Sequence, residues 1–164
     1  MACWAELEEA APELAARGRD LIETFHFLLA GTIRRDGTPR ISPVEAHIVE
    51  GHLMHAIIPG TLKARDLLRD PRVVLNAPVT NAGDPGAELK LRGRALEVED
   101  DALRAATADT IEAVSGWRPQ DDWHFLTTDV EDAAYIAWRA GVMDMTRWTP
   151  ERGVEHVRRE VAVL

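Results

Sequence analysis

Residues 26–58 read HFLLAGTIRRDGTPRISPVEAHIVEGHLMHAII, and this stretch decides the fold. Three apolar segments, alternating in part, are separated by two short turns, RDGT and Glu50-Gly51. An Asp-Gly or similar dipeptide between apolar runs is the strongest local signal for a β-hairpin. The pattern therefore predicts an antiparallel meander of three strands, 26–34, 39–49 and 52–58.

The rest of the chain is also predicted to form short strands, with helices inserted between them. The further predicted strands are 72–79 in a central position, 87–99, 124–139 with an interruption, 142–149 and the tail 153–164. The predicted helices are 4–24, divided at Pro12 and Gly18 or with a second helix starting near Pro12, then 62–70, and 100–114 with Asp100 as N-cap. A loop is expected at 80–86, and Gly93 within its strand indicates a bulge or a close backbone approach. Six or seven strands in this arrangement favour a closed or half-closed antiparallel barrel.

Composition limits the class of protein. With 164 residues and 46% hydrophobic content, the chain is expected to form one domain, 1–164, with residues 1–24 as an N-terminal helical segment. A net charge of −9 argues against a nucleic-acid partner, because a phosphate backbone requires a basic surface. Cys3 is the only cysteine, so an intrachain disulfide and cysteine-based zinc sites are excluded. The acidic start and the lack of a long apolar run predict a cytoplasmic protein without a membrane span.

Residues 59–73, PGTLKARDLLRDPRV, place two cations, Lys63 and Arg65, at the start of a short helix. The helix macrodipole makes positive charge mildly unfavourable there, and a bound anion would reverse that sign. One interpretation is that Thr61 and the free N–H groups after it hold a phosphate, with the two cations closing over it. The other is that Thr61 is an ordinary N-cap and that both cations are solvated.

The other candidate features are more simply explained by structural roles than by a functional site. Pro43 cannot donate a ladder hydrogen bond, so its strand lies at a sheet edge or is bulged there, and a bulge would free backbone groups for a flat polar ligand. The histidines at 47, 52 and 55 are expected to divide between two faces of a hairpin, and no metal site is predicted from them. No serine lies in a nucleophile-elbow sequence, so no catalytic residue is assigned.

Three segments together resemble the pyridoxamine 5′-phosphate oxidase-like family of flavin-binding split barrels. They are FLLAGTIRRDGTPRISPVEAHIVEGHLMHAII, GTLKARDLLRDPRVVL and ELKLRGRALEVED, in the order and spacing of the family. The likeness covers roughly residues 20–100, and the closing segment HFLTTDVEDAAYIAWRAGVMDMTRWTPERG also resembles small bacterial members. The resemblance implies a mainly β fold with α (α+β), a six- to seven-stranded antiparallel split β-barrel with a few peripheral helices.

The resemblance also implies a set of cofactor-binding positions at a homodimer interface. In family members one strand lies along the flavin ring, the end of the next flanks it, and a Ser/Thr-x-Lys-x-Arg/Lys stretch binds the phosphate. The matching residues here are Arg40, Ser42, Pro43, Val44, Ile57, Ile58, Thr61, Leu62, Lys63, Arg65 and Glu88. Two of them depart from the family pattern. Leu62 replaces a phosphate-binding arginine, and Glu88 replaces a glutamine whose amide would suit a reduced, anionic flavin better than a carboxylate does.

The expected function is an FMN-dependent oxidoreductase that is homodimeric and acts on a small-molecule substrate which the sequence does not identify. The substrate segment of the true oxidase is missing, so pyridoxamine phosphate oxidation is not the expected activity. Two alternatives remain open, besides a barrel that has lost its ligand. One is a reductase that uses a deazaflavin coenzyme in place of FMN, and the other is a non-catalytic flavin- or haem-binding protein.

Overall fold

A computed structural model of the chain describes residues 2–77, 79 and 86–160. These ranges contain four helices: α1 (Trp4–Ala10), α2 (Pro12–Phe25), α3 (Leu62–Arg69) and α4 (Asp101–Ser115). They also contain nine strands: β1 (Phe27–Ile33), β2 (Pro39–Glu45), β3 (His47–Val49), β4 (His52–Ile57), β5 (Arg72–Asn76), β6 (Gly86–Glu97), β7 (His124–Arg139), β8 (Val142–Thr149) and β9 (Gly153–Glu160). The predicted loop at 80–86 lies outside the described residues except for Gly86, and the predicted tail strand is described only as far as Glu160.

All described strands belong to one antiparallel sheet with the order β2-β1-β5-β6-β7-β4-β3, to which β8 is added through β7 and β9 through β8. Strand β7 links the two halves of this open barrel. Its first part pairs with β4 and its second part with β8, while β6 pairs along most of its length. The split-barrel architecture is therefore confirmed. The described residues form nine strands rather than the expected six or seven.

The predicted meander over 26–58 is wrong in one respect. Residues 39–49 do not form a single strand but break at Ala46, whose N–H donates to the His26 carbonyl oxygen at 3.1 Å. Strand β2 pairs with β1 at one end of the sheet order, whereas β3 pairs with β4 at the other end. Alternation of apolar residues continues through the break, so the sequence pattern did not reveal it. The crossing at Ala46 brings β2 close to β4 and half-closes the barrel.

The N-terminal helices cover one face of the sheet. Pro12 begins α2, as predicted, because a proline at the first helical position has no N–H that needs an intrahelical acceptor. Gly18 does not divide the helix. It packs against the core, where a Cβ would lie 3.1 Å from a methyl carbon of Leu89 and 3.2 Å from the ring of Trp4. A second, smaller core lies under α4 around Ile111.

None of the four described helices has the length and apolar character needed to cross a bilayer.

Gly93 confirms the prediction of a bulge with a close backbone approach. The register between β6 and β7 shifts between Arg92 and Gly93, so that Glu131 has no partner opposite it. A Cβ on Gly93 would overlap the carbonyl oxygen of Asp129. Only glycine allows the two backbones to come this close, and the bulge bends the long β6–β7 ribbon around the barrel.

Candidate functional site

Helix α3 begins at a capped turn. Gly60, just before the cap, has a φ of +74°, a conformation that glycine adopts without steric cost. The Thr61 hydroxyl accepts a hydrogen bond from the Ala64 N–H at 3.4 Å and donates one to the Ile58 carbonyl at 2.9 Å. Thr61 is therefore an N-cap. Within the described chain the N–H groups of residues 62 and 63 have no acceptor, so they remain able to bind an anion.

Lys63 extends from α3 to the edge strand. Its Nζ atom donates to the main-chain carbonyl oxygen of Pro43 at 2.6 Å, and the side chain is half-buried rather than simply solvated. Burial lowers the pKa of Lys63, and the carboxylate of Glu45 opposes that shift. Strand β2 is the edge strand that Pro43 predicted, and Pro43 lies opposite Leu29 in the ladder. The contact joins the two predicted cofactor-binding segments, 40–45 and 61–65.

A buried carboxylate lies behind this contact. The side chain of Asp66 on α3 is only 6% exposed and accepts hydrogen bonds from Arg40 Nε at 2.7 Å and from Thr32 Oγ1 at 3.1 Å. The carboxylate's other oxygen accepts from Arg69 Nη1 at 3.4 Å. Burial alone would raise the pKa of Asp66, but the hydrogen bonds from Arg40 and Thr32 outweigh it, and the pKa is lowered. Asp66 thus ties β1, β2 and α3 together as a charged group.

Strand β2 ends beside an aromatic pair that no sequence pattern predicted. Burial raises the pKa of Glu45, while the Trp117 side chain and the Lys63 ammonium oppose that rise. Trp117 lies against Trp123, with ring centroids 5.1 Å apart. Both tryptophans come from the irregular segment 116–123, where no periodic pattern gave a signal. Asp66 was also missed, although an acidic residue among the cations of a short helix is a signal for an internal ion pair.

Two histidines are buried next to the site. His55 Nδ1 lies 2.7 Å from the carbonyl oxygen of Glu45, and its Nε2 lies 2.9 Å from Thr128 Oγ1. His47 stacks on His26 with ring centroids 5.7 Å apart, and its Nε2 is buried without a hydrogen-bond partner. Burial lowers the pKa of His47 and of His55 to about 4, so both rings are neutral at pH 7. In the described ranges no three His, Cys, Asp or Glu side chains are grouped as a metal site requires.

The remaining predicted positions of β2, β4 and α3 differ in exposure. Val44 and Ile57 are buried in the core, and Ser42 is half-buried. Ile58 and Leu62 are 51% and 57% exposed, so they form an apolar rim around the capped turn. The side chain of Arg65, also on α3, is exposed and contacts no acceptor in the described chain.

A comparison with protein-family models matches residues 14–161 to the model described as pyridoxamine 5′-phosphate oxidase. The chain belongs to the pyridoxamine 5′-phosphate oxidase family. The match covers nearly the whole length, including the capped turn and the edge strand. No curated protein matches the chain with significance.

Solved structures of low identity share the fold of this family member. A haem-binding protein from Mycobacterium smegmatis is 17% identical, with a TM-score of 0.62 over 92% of this chain and 89% of that one. A pyridoxamine 5′-phosphate oxidase-related, FMN-binding protein from Nostoc punctiforme is 13% identical, with a TM-score of 0.63 over 94% and 96%. An FAD-binding protein from M. smegmatis is 19% identical, with a TM-score of 0.60 over 77% and 97%. At these identities the likeness shows the fold and leaves the ligand open.

Glu88 lies apart from the other predicted cofactor-binding residues of this family member. It lies on β6 opposite Ile136, and its Oε1 is 2.5 Å from the Nζ atom of Lys90. None of its described contacts joins it to β2 or α3. A single chain therefore brings together the positions on β2, β4 and α3 but does not bring Glu88 to them.

Proposed function

We propose that the protein is an FMN-dependent oxidoreductase that acts as a homodimer on a small-molecule substrate. The observation that carries the proposal is the contact between Lys63 Nζ and the Pro43 carbonyl. Because of this contact, the helix start proposed to bind the phosphate and the strand proposed to line the flavin ring form one continuous surface. In FMN a short chain joins the ring to the phosphate, so the residues that bind these two parts have to lie close together.

The residues around the capped turn fit a phosphate. The N–H groups at 62 and 63, which have no acceptor within the described chain, are suitable donors. Lys63, Arg65 and Arg40 supply positive charge, and the burial of Lys63 makes an anionic partner more valuable to it. Leu62 offers no charge, so the phosphate would have one contact fewer than in the oxidases proper. The apolar rim of Ile58 and Leu62 suits the less polar part of a flavin.

A second chain is part of the proposal. Ile41 lies opposite Gly31, which in turn lies opposite Val74, so these residues form a row on one face of β2, β1 and β5. The apolar members of the row are 74% exposed at Ile41 and 46% exposed at Val74. An apolar row of this kind beside a proposed site suits an interface between subunits. The separation of Glu88 from α3 in one chain also requires a second chain if Glu88 is to reach the flavin.

The protein's own part in the reaction would be binding, orientation and exclusion of water. When bound, the flavin supplies hydride or single-electron transfer. Lys63 and Arg65 would neutralise the phosphate, and strand 40–45 would fix the ring against the barrel. No side chain is assigned as a general acid or base.

The geometry bears differently on the two alternatives, a deazaflavin coenzyme and a haem. A deazaflavin coenzyme also carries phosphate, so the same residues would suit it, and only a binding experiment separates it from FMN. A haem would need an axial ligand. Both ring nitrogens of His55 are already hydrogen-bonded, so His55 offers no free nitrogen to an iron.

The test is retention of a coenzyme by purified protein. Protein stripped of ligand is incubated with FMN, riboflavin or a deazaflavin coenzyme, passed through a desalting column, and examined by absorption spectroscopy. Retention of FMN, followed by bleaching of its absorbance with a nicotinamide reductant, is the expected result. Retention of the deazaflavin alone would favour the alternative coenzyme, and retention of none of them would reject the proposal.

A further inference from the structure

We propose that Asp66 is a positioning residue that holds Arg40 so that the free end of its guanidinium group faces the phosphate of the bound flavin. The inference rests on the proposed function and extends it to a residue that does not itself touch the ligand. It assigns a role to the one buried carboxylate of α3, which the sequence pattern of a short surface helix does not require.

Only one side of the Arg40 guanidinium group takes part in the ion pair with Asp66. Arg40 contacts Asp66 only through Nε, at 2.7 Å from Oδ2. Within the described chain the two Nη groups of Arg40 have no acceptor. A guanidinium group held by Nε keeps its outer pair of N–H donors in a fixed plane, the arrangement that binds a phosphate with two parallel hydrogen bonds.

The direction of the Arg40 side chain agrees with this role. Along β2, Arg40 alternates with exposed Ile41, so Arg40 turns toward α3 while Ile41 turns to the outer face. Lys63, one turn before Asp66 on the same helix, reaches the same strand at Pro43. Two cations from different elements therefore lie where β2 meets α3, and each is held by a contact within the protein.

Arg69 provides the structural contrast. It contacts the other oxygen of Asp66, Oδ1, and its Nη2 donates to the carbonyl oxygen of Ile33. Arg69 lies at the end of α3 opposite the capped turn, and both ends of its fork are engaged. It compensates the buried charge of Asp66, while Arg40 retains unused donors. A carboxylate that served only to stabilise the fold would not require one of its two arginine partners to keep unpaired Nη donors.

The experiment compares the dissociation constants of FMN and riboflavin, whose ratio measures what the phosphate contributes. The variants are Asp66→Asn, Arg40→Lys and Arg69→Gln, and each is checked for folding by circular dichroism. In Asp66→Asn the positioning role predicts that the preference for FMN falls about tenfold or more, the scale of a lost charged hydrogen bond. Simple electrostatics predicts the opposite, because removing a negative charge near the phosphate would strengthen FMN binding.

The two other variants complete the test. Arg40→Lys keeps the charge but removes the fork, and it should lower the preference for FMN even if Asp66→Asn does not fold. Arg69→Gln should lower stability and leave the ratio unchanged. An unchanged or increased ratio in Asp66→Asn, or an unchanged ratio in Arg40→Lys, would overturn the inference while the wild-type protein still prefers FMN. A wild-type protein without preference for FMN over riboflavin would overturn the phosphate site and this inference together.

Discussion

The Nζ atom of Lys63 lies 2.6 Å from the main-chain carbonyl oxygen of Pro43, although 20 positions separate the two residues in sequence. Lys63 comes from the first turn of α3 and Pro43 from the edge strand β2. A proline at an edge cannot donate to a neighbouring strand, and its carbonyl oxygen is here used by a side chain instead. This contact connects the helix start to the strand and defines the surface to which we assign the flavin.

Replacing Lys63 by Ala should weaken FMN binding by roughly 1.5–3 kcal/mol, the usual contribution of a hydrogen bond to a charged group. Riboflavin binding should change much less, because it lacks the phosphate. Isothermal titration calorimetry or quenching of flavin fluorescence measures both. Arg159→Ala is a matched control, because it also removes one positive charge but from the exposed strand β9. Equal FMN affinity in the Lys63 variant and in the control would refute the phosphate assignment.

Acid should destabilise the protein over the range in which the buried histidines titrate. His47 and His55 each have a pKa of about 4 in the folded state, below the value of about 6.5 expected for an unfolded chain. The folded state therefore favours the neutral ring, and its advantage is complete above pH 6.5 and is lost as pH falls toward 4. The loss should be on the order of 2–3 kcal/mol per histidine, measured by urea unfolding at a series of pH values.

A variant separates the histidines from other acid-sensitive groups. His47→Phe keeps an aromatic ring against His26 and removes the titrating nitrogen that has no partner. The pH dependence between 6.5 and 4 should become shallower in this variant. Asp66 and Asp70 have lowered pKa values, so their contributions are lost only below about pH 4. An unchanged slope in His47→Phe would count against the assignment of the acid sensitivity to His47.

Gly93→Ala should destabilise the barrel, because the new methyl group would overlap the carbonyl oxygen of Asp129. Overpacking against backbone typically costs about 1–3 kcal/mol, and here the backbone of two long strands would have to move. Gly31→Ala is the control, since a Cβ there would lie 3.6 Å from the nearest atom, an ordinary contact. Urea unfolding of the two variants should give a clearly larger loss for Gly93→Ala. Equal losses would mean that the bulge tolerates a side chain.

The proposed dimer should dissociate when a charge is placed in the apolar row on its surface. Ile41→Glu is expected to shift the protein to monomer and to weaken FMN binding, because burying an unpaired carboxylate at an interface is costly. Sedimentation velocity at several concentrations measures the shift. Val114→Glu on α4 is the control, at a position whose exposure, 45%, is close to that of Val74 in the row. A monomeric wild-type protein, or an Ile41 variant that remains dimeric, would contradict this interface.

Many local elements could be predicted because their chemistry is contained within a few residues. The turns at Gly37 and Gly51 both have positive φ, as the hairpin patterns required. Asp100 caps α4 by accepting from the N–H groups of Ala102 and Leu103. The predicted bulge at Gly93 is also present. In each case the residue type itself restricts the backbone, whatever lies elsewhere in the fold.

The residues of the candidate site were predicted in part, through the family resemblance rather than through local physics. Their contacts were not predictable. Asp66 was overlooked, because nothing in a window of eight residues shows that Thr32 and Arg40 will surround its carboxylate. Trp117 was overlooked for the same reason, since it lies in an irregular segment far from Glu45 in sequence.

The sequence by itself determined most of the strands, the hairpin turns, the Asp100 cap of α4 and the family resemblance. The tertiary structure alone decided that residues 39–49 break at Ala46, because the choice of a pairing partner is made between strands and the apolar alternation is the same on either side of the break. That break sends the chain from one end of the sheet order to the other. It thereby sets the position of the edge strand to which Lys63 and Asp66 are joined, a relationship that only the packed barrel contains.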